Sequence, residues 1–367
     1  MKSLLLLFFL PLSSYAGLGK PELIARFSDR SAYKAPDNTW CFSSDPAILN
    51  GKVYLKCMDI LGSLMIEFGD EGKVIARAQE DQIFSSATTA FGRVNWYEFN
   101  EWGAVKSFEL GDKLTEKDLK TIGPMNQTID HVAPASVDSI ILRTKGENPE
   151  LWISQGGKAT PFFNPGASYL FRPFVSLTGT IVIKSREINY NESSPDKLWL
   201  YSNNQWKMIL EDRDSNPNSP WKIFRQSFAI EGEKVLLVAT DDQGEALLLI
   251  DQGKVKIIAR AGKDLKKFDY FSPSMNGGTV AIRGEDFNGR KVLYVHDQDG
   301  FRPLLTQGDI VHTDLGLGKV DYSNQDSIFY SSPGVDEKGN VYQQATLVDA
   351  DYPKTLLGVG LIKFSKE

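Results

Sequence analysis

The sequence is poor in the residues that most enzymatic chemistry needs. Among its 367 residues are two cysteines and three histidines. His131, His296 and His312 form no His-Glu-x-x-His arrangement, and the cysteines do not have zinc spacing, so no metal site is read. A Gly-x-Ser-x-Gly elbow is missing. The Ser-x-x-Lys matches Ser194–Lys197 and Ser219–Lys222 lie in polar loops rather than at helix starts. Acidic turns such as Asp241-Asp242 and Asp297-Gln298-Asp299-Gly300 do not have the alternating ligands and closing Glu of an EF-hand. Hence no catalytic constellation and no cofactor are read. Lys and Arg total 41 against 47 Asp and Glu, a net charge of −6, with no basic stripe. That balance argues against nucleic acid and anionic lipid as partners. Long helix-forming runs are scarce, and beyond residue 12 no apolar run approaches the roughly 20 residues of a membrane span.

What is present begins with a leader. Lys2 precedes an apolar run from Leu4 to Leu12 and then Ser13-Ser14-Tyr15-Ala16. A charged start, a short apolar stretch and a small-x-small site are the pattern of a cleaved signal peptide over residues 1–16. The mature chain, 17–367, is then expected in the periplasm or outside the cell, without membrane insertion, and as a monomer. Cys41 and Cys57 would pair in an oxidising compartment, the alternative being free structural thiols.

The strongest pattern is internal repetition. Seven segments align, starting at Phe42, Phe84, His131, Phe171, Phe224, Phe271 and Val320, between 40 and 53 residues apart. Each opens on a bulky residue, passes a short strand, turns, and enters a second β-branched strand. The turns carry Gly51, Gly92, Gly179, Gly232 and Gly278, with Asp138 and Asp326 in the other two copies. A third strand aligns at 64–66, 151–153, 198–200, 248–250 and 293–295. A fourth follows a polar turn, as in KVIARAQ, WKMILED and KVKIIARAG. Four short strands per unit, repeated seven times, predict an all-β fold: one seven-bladed β-propeller with four-stranded blades.

The termini predict how the ring closes. ELIARFSD, 22–29, resembles the fourth-strand copies but has no preceding strands, so it is expected to complete the last blade. The competing closure uses 355–364 as that fourth strand. Cys41 and Cys57 are expected on the first two strands of blade one, where a bridge would staple the hairpin nearest the closure.

The segments resemble those of secreted bacterial β-propellers with degenerate repeats. The stretch SMNGGTVAIRG, 274–284, is similar to the tandem repeat Asn-x-x-Gly-x-x-Ala-Phe through Asn276, Gly278 and Ala281. Its Asn-to-Gly spacing is one residue shorter, and Ile282 stands in place of Phe. The resemblance implies an architecture and no activity.

One column points to a ligand. The residue after each bulky leader reads Ser43, Ser85, Val132, Arg172, Arg225, Ser272 and Asp321. Innermost strands start at one rim of a propeller's channel, so these side chains should ring its mouth, with His131 replacing Phe among the leaders. Arg172 and Arg225 facing hydroxyls and Asp321 could grip a carboxylate, phosphate or acidic sugar through charge-assisted forks. Alternatively both arginines tie neighbouring blades together. Two functions remain open: a non-catalytic binding or scaffold propeller for a protein or glycan ligand of acidic character, or a glycan hydrolase or lyase working at the mouth.

Overall fold

Tight turns dictate the local structure. Asn50-Gly51 and Phe91-Gly92 both combine two positive φ angles, 52° with 77° and 53° with 69°. That is the backbone of a two-residue hairpin whose twist matches its strands. Between such turns the second strand of each unit is almost continuously buried, as in Ile181–Glu187, Lys234–Asp241 and Thr279–Glu285. Strands of that kind must be covered on both faces.

The computed structural model describes residues 17–28, 31–41, 44–166, 168–187, 195–322 and 327–367. It is a seven-bladed β-propeller. Blade five shows the unit most simply, with strands Ile223–Glu231, Lys234–Asp241, Gly244–Asp251 and Lys254–Arg260 paired antiparallel in chain order. Second strands of the other blades are Lys52–Asp59, Arg93–Phe99, Ser139–Thr144, Ile181–Glu187, Thr279–Glu285 and Val341–Asp349. Residues 1–16, where the leader is read, lie outside the described residues.

The N-terminal strand Leu18–Phe27 is the outermost strand of blade seven and pairs antiparallel with Leu356–Lys366. The C-terminal segment is that blade's third strand, so the closure expected from 22–29 holds. Blade seven corrects the expected register. Phe329–Val335, read as a second strand, is the innermost one and pairs with Val341–Asp349. Its turn falls at 336–340, and Asp326 lies outside the described residues. The offset arises because a hairpin, Ile310–Thr313 with Gly316–Val320, precedes the blade and pairs with the far end of Val341–Asp349.

Cys41 and Cys57 form a disulfide. Cys57 is on the second strand, as expected, but Cys41 precedes the innermost strand Ala47–Leu49, where Trp40 and Met58 make an isolated bridge. Both sulfurs pack with Ala25, Phe27, Val359 and Leu361 in the seam between blades seven and one. The bridge therefore sits against the closure.

Apolar clusters fill the seams between blades, with one exception. Between blades four and five, for instance, Val182, Leu198 and Leu200 meet Phe224, Phe228, Leu237 and Leu248. Between blades two and three the buried apolar residues reduce to Leu119, Ile129, Ile140 and Leu142. A one-turn helix, Leu119–Ile122, supplies the first of these. The face that blade two turns toward blade three is polar: Asn95, Tyr97, Ser107, Glu109, Thr115 and Lys117. Such a face cannot drive the seam shut by apolar burial.

Candidate functional site

A column of long side chains surrounds the channel one strand behind its wall. Five positions after the turn residues Gly51, Gly92, Asp138, Gly179, Gly278 and Gly339 stand Lys56, Tyr97, Arg143, Lys184, Arg283 and Gln344. Four of them reach a backbone carbonyl of the following blade. Arg143 Nε donates to Leu170 at 2.8 Å, Lys184 Nζ to Phe224 at 2.7 Å, Arg283 Nη1 to Ser331 at 2.6 Å and Gln344 Nε2 to Ser44 at 3.5 Å. The charged members are buried, so each is balanced by a carboxylate: Asp130 for Arg143, Asp196 for Lys184 and Asp269 for Arg283. Even so, burial lowers the Arg283 pKa to about 10.

Blade five has Val238 at this level, and Arg225 from the innermost strand replaces the missing staple. Its guanidinium holds Glu245 Oε1 at 2.9 and 2.5 Å and the carbonyls of Phe268 and Asp269 in blade six. The structure thus places Arg225 in a seam. Asp321 is likewise engaged locally, accepting from Lys319 Nζ at 2.7 Å and Gln307 Nε2 at 3.1 Å.

In blade two the column residue is Tyr97, and its hydroxyl meets His131 Nδ1 of blade three at 3.2 Å. The Pro173 carbonyl of blade four holds the ring as well. Burial, then the positive charges of Arg172 and Arg143, bring the His131 pKa down to about 3 from an ordinary 6.5. The imidazole is therefore neutral at physiological pH. Its place at the head of blade three follows: a Phe there could accept no hydrogen bond from Tyr97.

These residues line a cavity of about 870 Å³ that opens at the channel mouth and runs into the polar seam between blades two and three. Ser85, His131, Arg172 and Ser272 are brought together in its wall. Ser43 lies outside the described residues. Ser85 is pinned by its own blade, accepting from the Tyr97 N–H at 3.0 Å and donating to the Ser86 carbonyl at 2.9 Å. Arg172 is exposed, and no hydrogen bond or ion pair engages its guanidinium among the described residues. Lys56 and Lys117 add two more cations without a hydrogen bond or an ion pair within 4 Å among those residues. Burial lowers the Lys56 pKa, and the nearby Asp45 carboxylate opposes that shift. The chemistry on offer is recognition of negative charge by available cations amid hydroxyls and aromatic rings.

Sequence reasoning missed Tyr97, Lys56, Lys117 and Asp45. A signal for Tyr97 and Lys117 exists. Strands buried on both faces read as near-continuous apolar runs, whereas RVNWYEF alternates and LTEKD is almost wholly polar. That alternation marks one wet face on blade two. The loop residue Trp221 is buried in the seam between blades four and five.

No protein-family model matches the chain, and no curated protein matches it in sequence. Solved structures do match in shape. The propeller domain of the Trilobed protease from Pyrococcus furiosus, described for an open velcro topology, gives a TM-score of 0.54 at 13% identity. The match covers 89% of this chain and 94% of that one. A puromycin-hydrolysing peptidase of Mycobacterium tuberculosis gives 0.53 at 9% identity, over 86% of this chain and 52% of the peptidase. A prolyl endopeptidase gives 0.50 at 9% identity, over 88% and 50%. The chain thus spans about half the length of these two peptidases. At such identities the likeness is one of fold, and it makes this chain similar to β-propellers of otherwise different proteins.

Proposed function

We propose that the chain is an exported, non-catalytic binding propeller, acting in the periplasm or outside the cell, that holds an acidic protein or glycan ligand at the mouth of its channel. The leader pattern at 1–16 and the Cys41–Cys57 bridge support export. One observation carries the ligand class. Among the described residues Arg172 is left unpaired in a cavity wall, while Arg143, Lys184, Arg225 and Arg283 are consumed in the seams. An exposed cation beside a neutral imidazole and several hydroxyls is a receptor for a carboxylate or another acidic group. The test is capture by the mature protein from the envelope fraction of its own cell, repeated with Arg172→Ala. Acidic ligands held by the wild type and lost by the variant are expected; equal capture by both overturns the assignment.

An enzyme at the same mouth is the second reading, supported by two observations. Tyr97 and His131 form a hydrogen-bonded titratable pair in the cavity wall. The fold is also that of domains found in peptidases such as the acylaminoacyl peptidase of Pyrococcus horikoshii, matched at a TM-score of 0.52 and 13% identity. Binding is preferred because His131 is held on both sides, by Tyr97 and by the Pro173 carbonyl, which leaves it no free position for proton transfer. Release of product from an acidic glycan by the mature protein, lost in His131→Phe, would reverse that order.

A further inference from the structure

A second cavity, of about 380 Å³, adjoins the first and shares Asp45, Ser227 and Ser272 with it. The two form one continuous mouth with unlike ends. Arg172 marks the cationic end. Tyr270 and Phe271, on the loop between Lys267–Phe268 and Ser274–Asn276 at the inner edge of blade six, mark the other.

These two rings are unusual among the aromatics of the chain. Tyr270 is 90% exposed and Phe271 41% exposed, yet neither is loose. The Arg225 guanidinium lies 5.0 Å from the Tyr270 centroid, and that of Arg283 lies 3.8 Å from the Phe271 centroid. Both guanidinium groups are immobilised by seam carbonyls and carboxylates. Each ring is therefore backed by a fixed cation and presents its remaining surface to water. An exposed aromatic surface of this size is costly to hydrate and rigid enough to bind without further ordering. Beside it stand the hydroxyl groups of Ser272 and Ser327 and the Asp45 carboxylate, which accepts the Ser332 N–H at 2.7 Å.

We infer that this second cavity is a sugar subsite, so that the ligand of the mouth is an acidic oligosaccharide. The inference rests on the proposed function and narrows its ligand. A pyranose ring has an apolar C–H face, which packs on an aromatic shelf, and a hydroxyl edge, which needs donors and acceptors at the shelf's margin. Tyr270 and Phe271 supply the shelf; Asp45 and Ser272 supply the margin. The acidic residue of the same chain reaches Arg172. Arg225 acts here as a positioning residue, because it holds the Tyr270 ring while tying blades five and six.

The test applies the mature protein to an array of uronate- and sialate-bearing mono- and oligosaccharides, their neutral parents, and a matched set of acidic peptides. Titration calorimetry follows on those retained. Acidic oligosaccharides should bind the wild type. Arg172→Ala should abolish binding of all of them. Tyr270→Ala should weaken the oligosaccharides about tenfold while sparing the acidic monosaccharide. Tyr270→Phe should restore the lost affinity, since the shelf needs a ring face and not a hydroxyl. Tyr270→Ala binding every oligosaccharide as tightly as the wild type overturns the sugar subsite and leaves the acidic receptor standing. Retention of acidic peptides in place of glycans does the same. Binding unaffected by Arg172→Ala, or no binding of any probe, overturns both.

Discussion

Arg26, on the N-terminal strand, donates from Nε and Nη2 to the two carboxylate oxygens of Asp314, at 2.8 and 2.7 Å, across 288 residues of chain. Its Nη1 donates to the Leu357 carbonyl at 2.7 Å. The guanidinium side chain is 1% exposed. One residue thus joins the outermost strand of blade seven, its third strand, and the turn of the preceding hairpin. A buried charge placed there is tolerable only because all of its forks are met. The ring is held closed by this pair on one side of the N-terminal strand and by the disulfide seam on the other.

Arg26→Met should therefore cost about 3 kcal/mol, measured as a shift of the urea midpoint, because Asp314 loses its partner and the closing strand its anchor. The Arg26 hydrogen bonds hold the Asp314 carboxyl below its ordinary pKa of 3.8. The stabilisation is accordingly full above that value and lost as pH falls through the lower folded one. Arg26→Met should show less acid sensitivity below pH 4 than the wild type.

The native protein should show no titratable thiol under denaturing, non-reducing conditions and two after reduction. Cys41→Ser with Cys57→Ser should lower stability by about 3 kcal/mol, the amount expected for closing a loop with a separation of 16 residues. Hydrogen exchange should then rise first in Leu18–Phe27, which shares the seam.

His131 predicts a pH window. Its folded pKa, about 3, lies below the ordinary 6.5, so the unfolded chain binds the extra proton between those values. Stability should fall as pH drops through that window, by up to about 1.4 kcal/mol per pH unit for one proton. His131→Phe should flatten the slope between pH 4 and 6.5. An unchanged slope in calorimetry would place the titrating group elsewhere.

The two arginines of the expected ligand column should now separate. Arg172→Ala should change stability by less than about 0.5 kcal/mol, since its side chain makes no bond among the described residues. Arg225→Ala should cost about 1–3 kcal/mol, because it strands Glu245 and two carbonyls of blade six. Chemical denaturation of both variants distinguishes these outcomes.

Much of this was legible in the chain because propeller geometry is local. A turn that needs positive φ selects Gly51, Gly92, Gly179, Gly232 and Gly278, and the apolar strand beyond it is forced by burial on both faces. Seven copies follow from such spacings, and the N-terminal closing strand from the likeness of residues 22–29 to the fourth-strand copies; the Cys41–Cys57 pairing was expected only from an oxidising compartment. The staple column was written there as well, five residues beyond the turns, but a charge inside an apolar strand names no partner. Blade seven was displaced by one strand because a preceding hairpin imitates part of a blade.

Which of the two arginines has no partner among the described residues was decided by tertiary structure. Arg172 and Arg225 occupy the same column, and nothing local separates them. Blade five has Val238 where its neighbours have a long polar side chain, so Arg225 is drawn into the empty staple position and Arg172 is not. That outcome depends on what stands one strand behind and one blade onward, at distances no spacing along the chain encodes. The cavity has the same origin. Its polar wall belongs to blade two, but its existence depends on blade three meeting that wall with too little apolar surface to close it.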